Sequence, residues 1–210
     1  MQPPLKATEL KATRRRFLVL STAALAGCDL VPDVNKPVTL YTLKPKLNLA
    51  QQPAKVGWQL VVAEPAAERD IDTTRIALTR TANVIEYFAD GNWSDTAPSL
   101  VQAKMIEAFE STKAIVAVGR DTAGLRPDYI LQSDLRDFQA EYPSPGAAPL
   151  AHVRLIAKLV QMPDRRITRT VSGEASVPAA ARDMAAIVVA FEQALGQVLS
   201  QIVAGILPAN

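Results

Sequence analysis

The C-terminal segment 182–206 constrains the fold of this chain more than any other part of the sequence. A polar stripe runs through it at helical spacing, formed by Gln193, Gln197, Ser200 and Gln201. Its apolar residues form a broad face: Met184, Ile187, Val188, Phe191, Leu195, Val198, Leu199, Ile202 and Ile206. A membrane span is expected to be continuously apolar, and the polar stripe interrupts that continuity. The pattern therefore predicts an amphipathic helix that lies on a sheet.

A second helix is predicted over about 95–112. Ser94 or Asp95 can cap its first turn, and Pro98 suits a first-turn position. One stripe at helical spacing follows, formed by Val101, Met105, Ala108, Phe109 and Thr112. Such a stripe is typical of a helix that packs on a core.

Most of the remaining segments between residues 38 and 177 have strand patterns. Alternating or short apolar runs predict strands at about 38–43, 58–63, 75–80, 83–89, 115–118, 128–140, 151–162 and 166–177. Asp90-Gly91-Asn92 predicts a turn, and Pro163-Asp164-Arg165 predicts a tight hairpin. This order of elements predicts a single α+β domain. We expect a mostly antiparallel sheet with both helices, at about 95–112 and 182–206, packed on one face.

The N-terminal arm has the three parts of a secretory signal. A basic stretch, Arg14-Arg15-Arg16, precedes an apolar run at 17–25 that is too short to span a bilayer. Small residues then provide a cleavage site. We therefore predict a signal peptide at 1–27, a tether at 28–37 and a folded domain at 38–207.

The cleavage site is followed by Cys28, the only cysteine of the chain. Leu25, Ala26, Gly27 and Cys28 resemble the lipobox of bacterial lipoproteins. In a lipobox the cysteine thiol receives a diacylglyceryl group, and the cysteine becomes the mature N-terminus. The alternative is that Cys28 is an ordinary buried free cysteine.

Arg14 and Arg15 also concern the route of export. The stretch Thr13-Arg14-Arg15-Arg16-Phe17-Leu18 resembles the twin-arginine signal, and the polar Ser21 and Thr22 make the apolar run only mildly apolar. A general export signal with three positive charges is the alternative. The sequence leaves both routes open.

The formal net charge of +2 is misleading because much of the positive charge belongs to the export signal. Residues 1–27 hold five of the 23 basic residues and one of the 21 acidic residues, so residues 28–210 carry a net charge of −2. A mature chain with this balance has no electrostatic basis for nucleic-acid binding.

The titratable residues argue against an enzyme. His152 is the only histidine and lies in a strand pattern, which favours a strand-face residue over a catalyst. With no thiol besides that of Cys28, neither Cys–His catalysis nor a zinc site is expected. Asp134 and Asp137 are three residues apart in a strand, so we expect them on opposite faces. We predict no enzymatic activity, no metal and no cofactor.

Five segments occur in a recognisable order along the chain. They are the lipobox with Tyr41-Thr42-Leu43, Asp72-Thr73-Thr74-Arg75-Ile76, Ile85-Glu86-Tyr87-Phe88 with Asn92-Trp93-Ser94-Asp95, Asp128-Tyr129-Ile130-Leu131 with Asp137-Phe138, and Ala190-Phe191-Glu192-Gln193-Ala194-Leu195. Their order and spacing resemble the ABC-type transport auxiliary lipoprotein family, which includes the lipoprotein partner of paraquat-inducible-type transport systems. Tyr87 and Trp93 are predicted to be packing aromatics.

The resemblance implies an α+β domain that is anchored by lipid in the cell envelope and has no catalytic residues. It also implies association with the ATPase and permease of an ABC transporter and with a mammalian-cell-entry (MCE) type protein. Such systems move lipids or other apolar molecules between the two membranes. A free-standing envelope lipoprotein, either a scaffold or a hydrolase, is the alternative. Formation of a homo-oligomer stays open.

The resemblance favours an outer-membrane location in which the domain faces the periplasm. Asp29, directly after Cys28, resembles the inner-membrane retention signal of enteric bacteria. An inner-membrane location therefore stays open.

One edge of the C-terminal helix is a candidate contact surface. It consists of Leu199, Ile202, Val203 and Ile206. This edge either packs as core with the rest of the apolar face or stays accessible for a partner subunit or an acyl chain. A charged substitution at Val203 distinguishes the two.

Overall fold

The computed structural model describes residues 38–120 and 126–209, which form nine strands and two helices. The strands are β1 (Thr39–Tyr41), β2 (Val56–Val62), β3 (Ala66–Ala67), β4 (Arg75–Thr81), β5 (Val84–Trp93), β6 (Ile115–Arg120), β7 (Tyr129–Glu141), β8 (Leu150–Gln161) and β9 (Arg166–Pro178). The helices are α1 (Ala97–Thr112) and α2 (Met184–Ile206). Outside the described residues lie the predicted export, lipobox, lipidation and sorting residues, namely Arg14, Arg15, Leu25, Ala26, Gly27, Cys28 and Asp29.

The long strand β7 organises the sheet. Along one edge it pairs antiparallel with β8 over its whole length, and β8 pairs antiparallel with β9. Along its other edge it pairs in parallel with three strands in succession, β2 at 129–131, β3 at 134–135 and β4 at 139–141. Beyond these, β6 lies beside β2, whereas β5 and β1 extend the sheet from β4. β7 is consequently the central strand of a nine-stranded mixed sheet.

The predicted α+β class is confirmed, and the long strands pair antiparallel. The sequence predicts these pairs because β7, β8 and β9 follow one another through short connections. The parallel pairs between β7 and β2 or β4 join strands that are far apart in the sequence. Such pairs have no local turn signal, so the mixed character of the sheet emerges only in the folded chain.

The turn predicted at 90–92 is wrong. These residues lie within β5, which continues to Trp93 and pairs with β1 there. Gly91 allows close packing here, because a Cβ at this position would lie 2.6 Å from Cε2 of the Tyr41 ring. A glycine inside a strand often marks such a close contact.

Helix α1 begins slightly later than predicted. Its N-cap is Thr96, whose hydroxyl accepts a hydrogen bond from the Ser99 amide at 3.5 Å. Asp95 instead accepts a hydrogen bond from the Thr96 amide at 2.8 Å, while Pro98 lies in the first turn as predicted. The inward stripe of α1 is buried at Val101, Met105, Ala108 and Phe109.

Helix α2 supplies a large part of the core. Its N-cap is Asp183, which accepts a hydrogen bond from the Ala186 amide at 3.0 Å. By length and composition alone α2 would be able to cross a membrane, yet 67% of its most apolar window is buried within the domain. Its apolar face packs against β8 and β9, and it also contacts α1. The predicted amphipathic helix on a sheet is thus confirmed.

An extended segment, residues 42–54, runs along α2 and is called the strap here. Its apolar residues at 43, 45, 47 and 49 turn inward, and its polar residues at 42, 44, 46 and 48 are exposed. Its contacts follow the helix and its C-terminal end in order: Lys44 to Glu192, Lys46 to Gly196, Asn48 to Ser200, and Ala54 to Pro208. The strap covers one flank of α2, and a Cβ on Gly196 would lie 2.5 Å from the Lys46 carbonyl oxygen.

Three aromatic rings form the centre of the core. Trp93 is 1% exposed and packs edge-on against Phe191 at 5.2 Å between ring centroids, with Phe138 at 5.5 Å. Tyr87 is half-buried, and its hydroxyl donates to the Asp70 carbonyl at 3.0 Å. Both residues are structural aromatics, as predicted.

Candidate functional site

The contact edge considered for α2 is not a surface. Leu199, Ile202, Val203 and Ile206 are between 0% and 2% exposed. Ile202 packs on β9, where a Cβ on Gly173 would be 3.4 Å from its Cδ1, and Leu199 lies beside Leu47 of the strap and Ala108 of α1. Of the two alternatives for this edge, the structure has the first: all four residues pack as core.

The polar face of strands β7 to β9 holds the most connected cluster of charged side chains. His152 on β8 lies between Glu141 on β7 and Glu174 on β9. Its Nδ1 is 2.8 Å from Glu141 Oε1, and its Nε2 is 3.0 Å from Glu174 Oε1. One imidazole ring thus links three neighbouring strands.

Further ion pairs extend this cluster along β7 and β8. Arg154 Nε donates to Asp137 Oδ2 at 2.6 Å, and Lys158 Nζ donates to Asp134 Oδ2 at 3.2 Å. Gln139 connects the Arg154–Asp137 ion pair to the His152 cluster, since its side-chain amide donates to Asp137 at 3.2 Å and to Glu141 at 3.0 Å.

The prediction that Asp134 and Asp137 lie on opposite faces is wrong. Both carboxylates pair with cations on the same face of β8, because the register of β7 shifts between Leu135 and Asp137. One extra residue in a strand reverses the alternation that follows it. Each carboxylate has its own cation, so the two form part of a charge network.

The surroundings of His152 favour its charged form. Burial acts to lower the pKa of His152, but its hydrogen bonds to Glu141 and Glu174 outweigh burial and raise the pKa above the ordinary 6.5. Nearby Asp137 acts in the same direction. A doubly protonated ring can donate to both glutamates at once, whereas a neutral ring can donate to only one.

We expect the stability of the domain to fall as the pH rises through the pKa of His152. Because the pKa of His152 is higher in the folded state than the ordinary 6.5, protonation of this ring stabilises the folded domain. This contribution is fully present below pH 6.5 and is lost as the pH rises above the folded-state pKa. The measurement is the thermal midpoint between about pH 5 and pH 8, for the parent chain and for His152→Gln. The substitution should remove this decline, and an equal decline in both chains would contradict the prediction.

The described cavities are clefts with mixed linings. A cleft of about 460 Å³ lies between the β4–β5 hairpin and the end of β7, with Arg80, Glu141 and Tyr142 in its wall. Arg80 pairs with Glu86 at 2.6 Å, and its guanidinium lies 5.2 Å from the Tyr142 ring centre. The wall of this cleft therefore combines a paired cation with an aromatic ring.

Among the described residues, no group of three or more His, Cys, Asp or Glu side chains is arranged to hold a metal ion. The two hydrogen bonds of the His152 ring go to carboxylates, those of Glu141 and Glu174. Sequence reasoning identified His152 as a strand-face residue but missed Glu141 and Glu174. Strand alternation places both on a polar face, but only the register across β7, β8 and β9 aligns them.

Solved structures share this architecture. Protein XCC0632 from Xanthomonas campestris, of the family DUF330, is 32% identical, with a TM-score of 0.73 over 80% of this chain and 95% of that chain. A second, uncharacterized protein has a TM-score of 0.62 at 12% identity over 80% of this chain and 97% of its own, which indicates a shared fold alone.

Sequence relatives are consistent with these neighbours. An uncharacterized protein of Bradyrhizobium diazoefficiens is 30% identical over 117 residues, which are 55% of this chain. The match covers 32% of that relative, so the chain spans about a third of its length. The sequence pattern of the ABC-type transport auxiliary lipoprotein component matches residues 41–203, from β1 almost to the end of α2. The chain therefore belongs to the family of ABC-type transport auxiliary lipoprotein components.

Proposed function

We propose that the protein is a non-catalytic, lipid-anchored subunit of an ABC transport system that works with an MCE-type protein. In this role it helps to move lipids or other apolar molecules between membranes. The observation that carries the proposal is the family match over residues 41–203, downstream of the lipobox-like Leu25-Ala26-Gly27-Cys28.

The packing of the domain supports a role in binding partner proteins over a role in carrying the apolar cargo. Most of its large apolar side chains are used in the core, where α1, α2 and the sheet form one buried cluster. The cleft of about 460 Å³ is walled partly by Arg80 and Glu141, which do not suit an acyl chain. We propose that the cargo passes through the partners and that this subunit contributes an anchored contact domain.

We place the domain in the periplasm and favour an anchor in the outer membrane. The leader, with Arg14 and Arg15, directs export by either the twin-arginine or the general route. Asp29 keeps an inner-membrane anchor open. Spheroplast fractionation on a density gradient distinguishes the two membranes.

Cys28→Ser is expected to abolish membrane association. Each buried methylene contributes about 0.8 kcal/mol, and two or more acyl chains anchor a protein stably where one chain is marginal. The apolar helix α2 cannot replace this anchor because it is committed to the core. The measurement is fractionation after an alkaline wash. A serine variant that still pellets with the membranes would contradict the lipid anchor.

The transport role is tested by affinity purification of the lipidated chain with a C-terminal tag. We expect an ABC ATPase, its permease and an MCE-type protein, each identified by mass spectrometry, to co-purify in detergent. Cys28→Ser serves as the control for encounters that need the membrane. A protein that remains alone, or that hydrolyses cell-wall material in the purified state, would favour the free-standing scaffold or hydrolase instead.

A further inference from the structure

We propose that the end of the domain at which α2 begins lies against the lipid surface of the membrane; this inference rests on the proposed lipid anchor at Cys28. The surface is called the N-terminal patch and consists of Val38, Leu40 and Val189. These side chains are 53%, 64% and 48% exposed, respectively, which is high for large apolar residues. Large exposed apolar patches mark contact with a protein or a membrane. Leu40 and Val189 belong to the strand and the helix that meet beside Gly91.

The three residues lie at the same end of the domain. The Tyr41 ring lies beside Gly91, together with the side chain of Met184, the first residue of α2. The amide of Lys44 then donates to Glu192 Oε1 at 2.8 Å, one turn beyond Val189. Since the strap runs along α2 from its start, the residues just before Tyr41 must lie near the beginning of the helix.

Two other exposed apolar residues lie at the opposite end and provide internal controls. Ile167, 55% exposed, is close to Arg169, which donates to carbonyls in the last turn of α2. Val116, 67% exposed, lies on β6 next to the start of β2. Just before β2, the Ala54 amide donates to the carbonyl of Pro208, which lies directly after the C-terminal end of α2. These residues match the patch in exposure but not in position.

The length of the tether favours the patch end for the membrane. Ten residue steps separate Cys28 from Val38, which reach at most about 35 Å. The 23 residues of α2 span about 34 Å. The opposite end would contact the bilayer only if the tether were fully stretched along the flank of the domain. For Val38 and its neighbours to meet the lipid, the ten steps do not need that full extension.

The charges beside the patch suit a lipid headgroup layer. Lys44 and Lys46 on the strap are exposed and line a groove of about 390 Å³ together with Val189 and Glu192. Among the described residues, neither ammonium group forms an ion pair, which leaves both to face phosphates. Apolar side chains flanked by lysines are the usual composition of a surface that enters the interfacial layer.

The test uses the full lipidated chain with one added cysteine. Because lipidation consumes the Cys28 thiol, a fluorophore reacts only with the new cysteine, placed at Leu40→Cys or Val189→Cys, or at the controls Val116→Cys and Ile167→Cys. Each labelled protein is reconstituted into phosphatidylethanolamine–phosphatidylglycerol vesicles that contain a fraction of lipid with brominated acyl chains. We expect a blue shift and loss of most of the emission at 40 and 189, and water-like emission at 116 and 167.

Each outcome supports or overturns the proposal. Equal emission at all four positions, or quenching confined to 116 and 167, overturns it. A blue shift at 40 and 189 without quenching by the brominated lipid also overturns it, because a second copy or a protein partner would then cover the patch. Vesicle flotation tests the lipid anchor at Cys28 separately from the membrane contact of the N-terminal patch. A chain that does not float refutes both, whereas a chain that floats with all probes in water refutes only the contact of the patch.

Discussion

Val203→Glu is expected to unfold the domain. Val203 is 0% exposed on the face of α2 that packs on the sheet, and no described cation lies there to pair with a carboxylate. Burying an unpaired carboxylate costs about 5 kcal/mol or more, comparable with the whole stability of a typical domain, about 5–15 kcal/mol. The measurement is circular dichroism during urea unfolding of the purified variant.

Val189→Glu is the matched control for this substitution. Val189 lies on the same helix but is 48% exposed, so its new carboxylate remains in water. We expect its unfolding midpoint to stay close to that of the parent chain. A folded Val203→Glu protein with a normal midpoint would contradict the buried position of that edge of α2.

Trp93→Ala is expected to destabilise the domain by about 3–5 kcal/mol. The indole fills the centre of the core against Phe138 and Phe191, and such aromatic pairs contribute about 0.5–1.5 kcal/mol each beyond their buried area. The neighbouring rings cannot close the cavity because both are held by the sheet and by α2. The measurement is the urea midpoint together with protein abundance in the envelope.

Trp58→Ala provides the comparison for Trp93→Ala. Trp58 is half-buried at the side of β2, where it meets the Tyr129 ring at 5.0 Å. Its removal should cost clearly less, because solvent can fill the space. A Trp93→Ala protein that accumulates normally but no longer binds the transporter would place Trp93 at a binding surface and contradict its structural role.

The sequence predicted the elements well where side-chain periodicity is strong. Both helices and most strands appear within a few residues of their predicted bounds, because apolar residues at a spacing of 3.6 or 2 must share one face. The burial of Trp93 and the position of His152 on a polar strand face follow from the same periodicity.

Features that depend on contacts between distant segments were missed. The alternation rule failed at Asp137 because the register of β7 shifts just before it. The turn predicted around Gly91 failed because the glycine accommodates the Tyr41 ring, which arrives from a strand about fifty residues earlier in the chain.

The sequence by itself determined the α+β class, the amphipathic character of α2 and the family, because each is encoded in local spacing and in the order of motifs. Only the tertiary structure decided that Val203 is core, that the strap covers one flank of α2, and that Glu141 and Glu174 bracket His152. The physical reason is that register and packing depend on which distant surfaces meet. The sequence pattern of a helix face is equally apolar whether a sheet, a partner or a membrane covers that face.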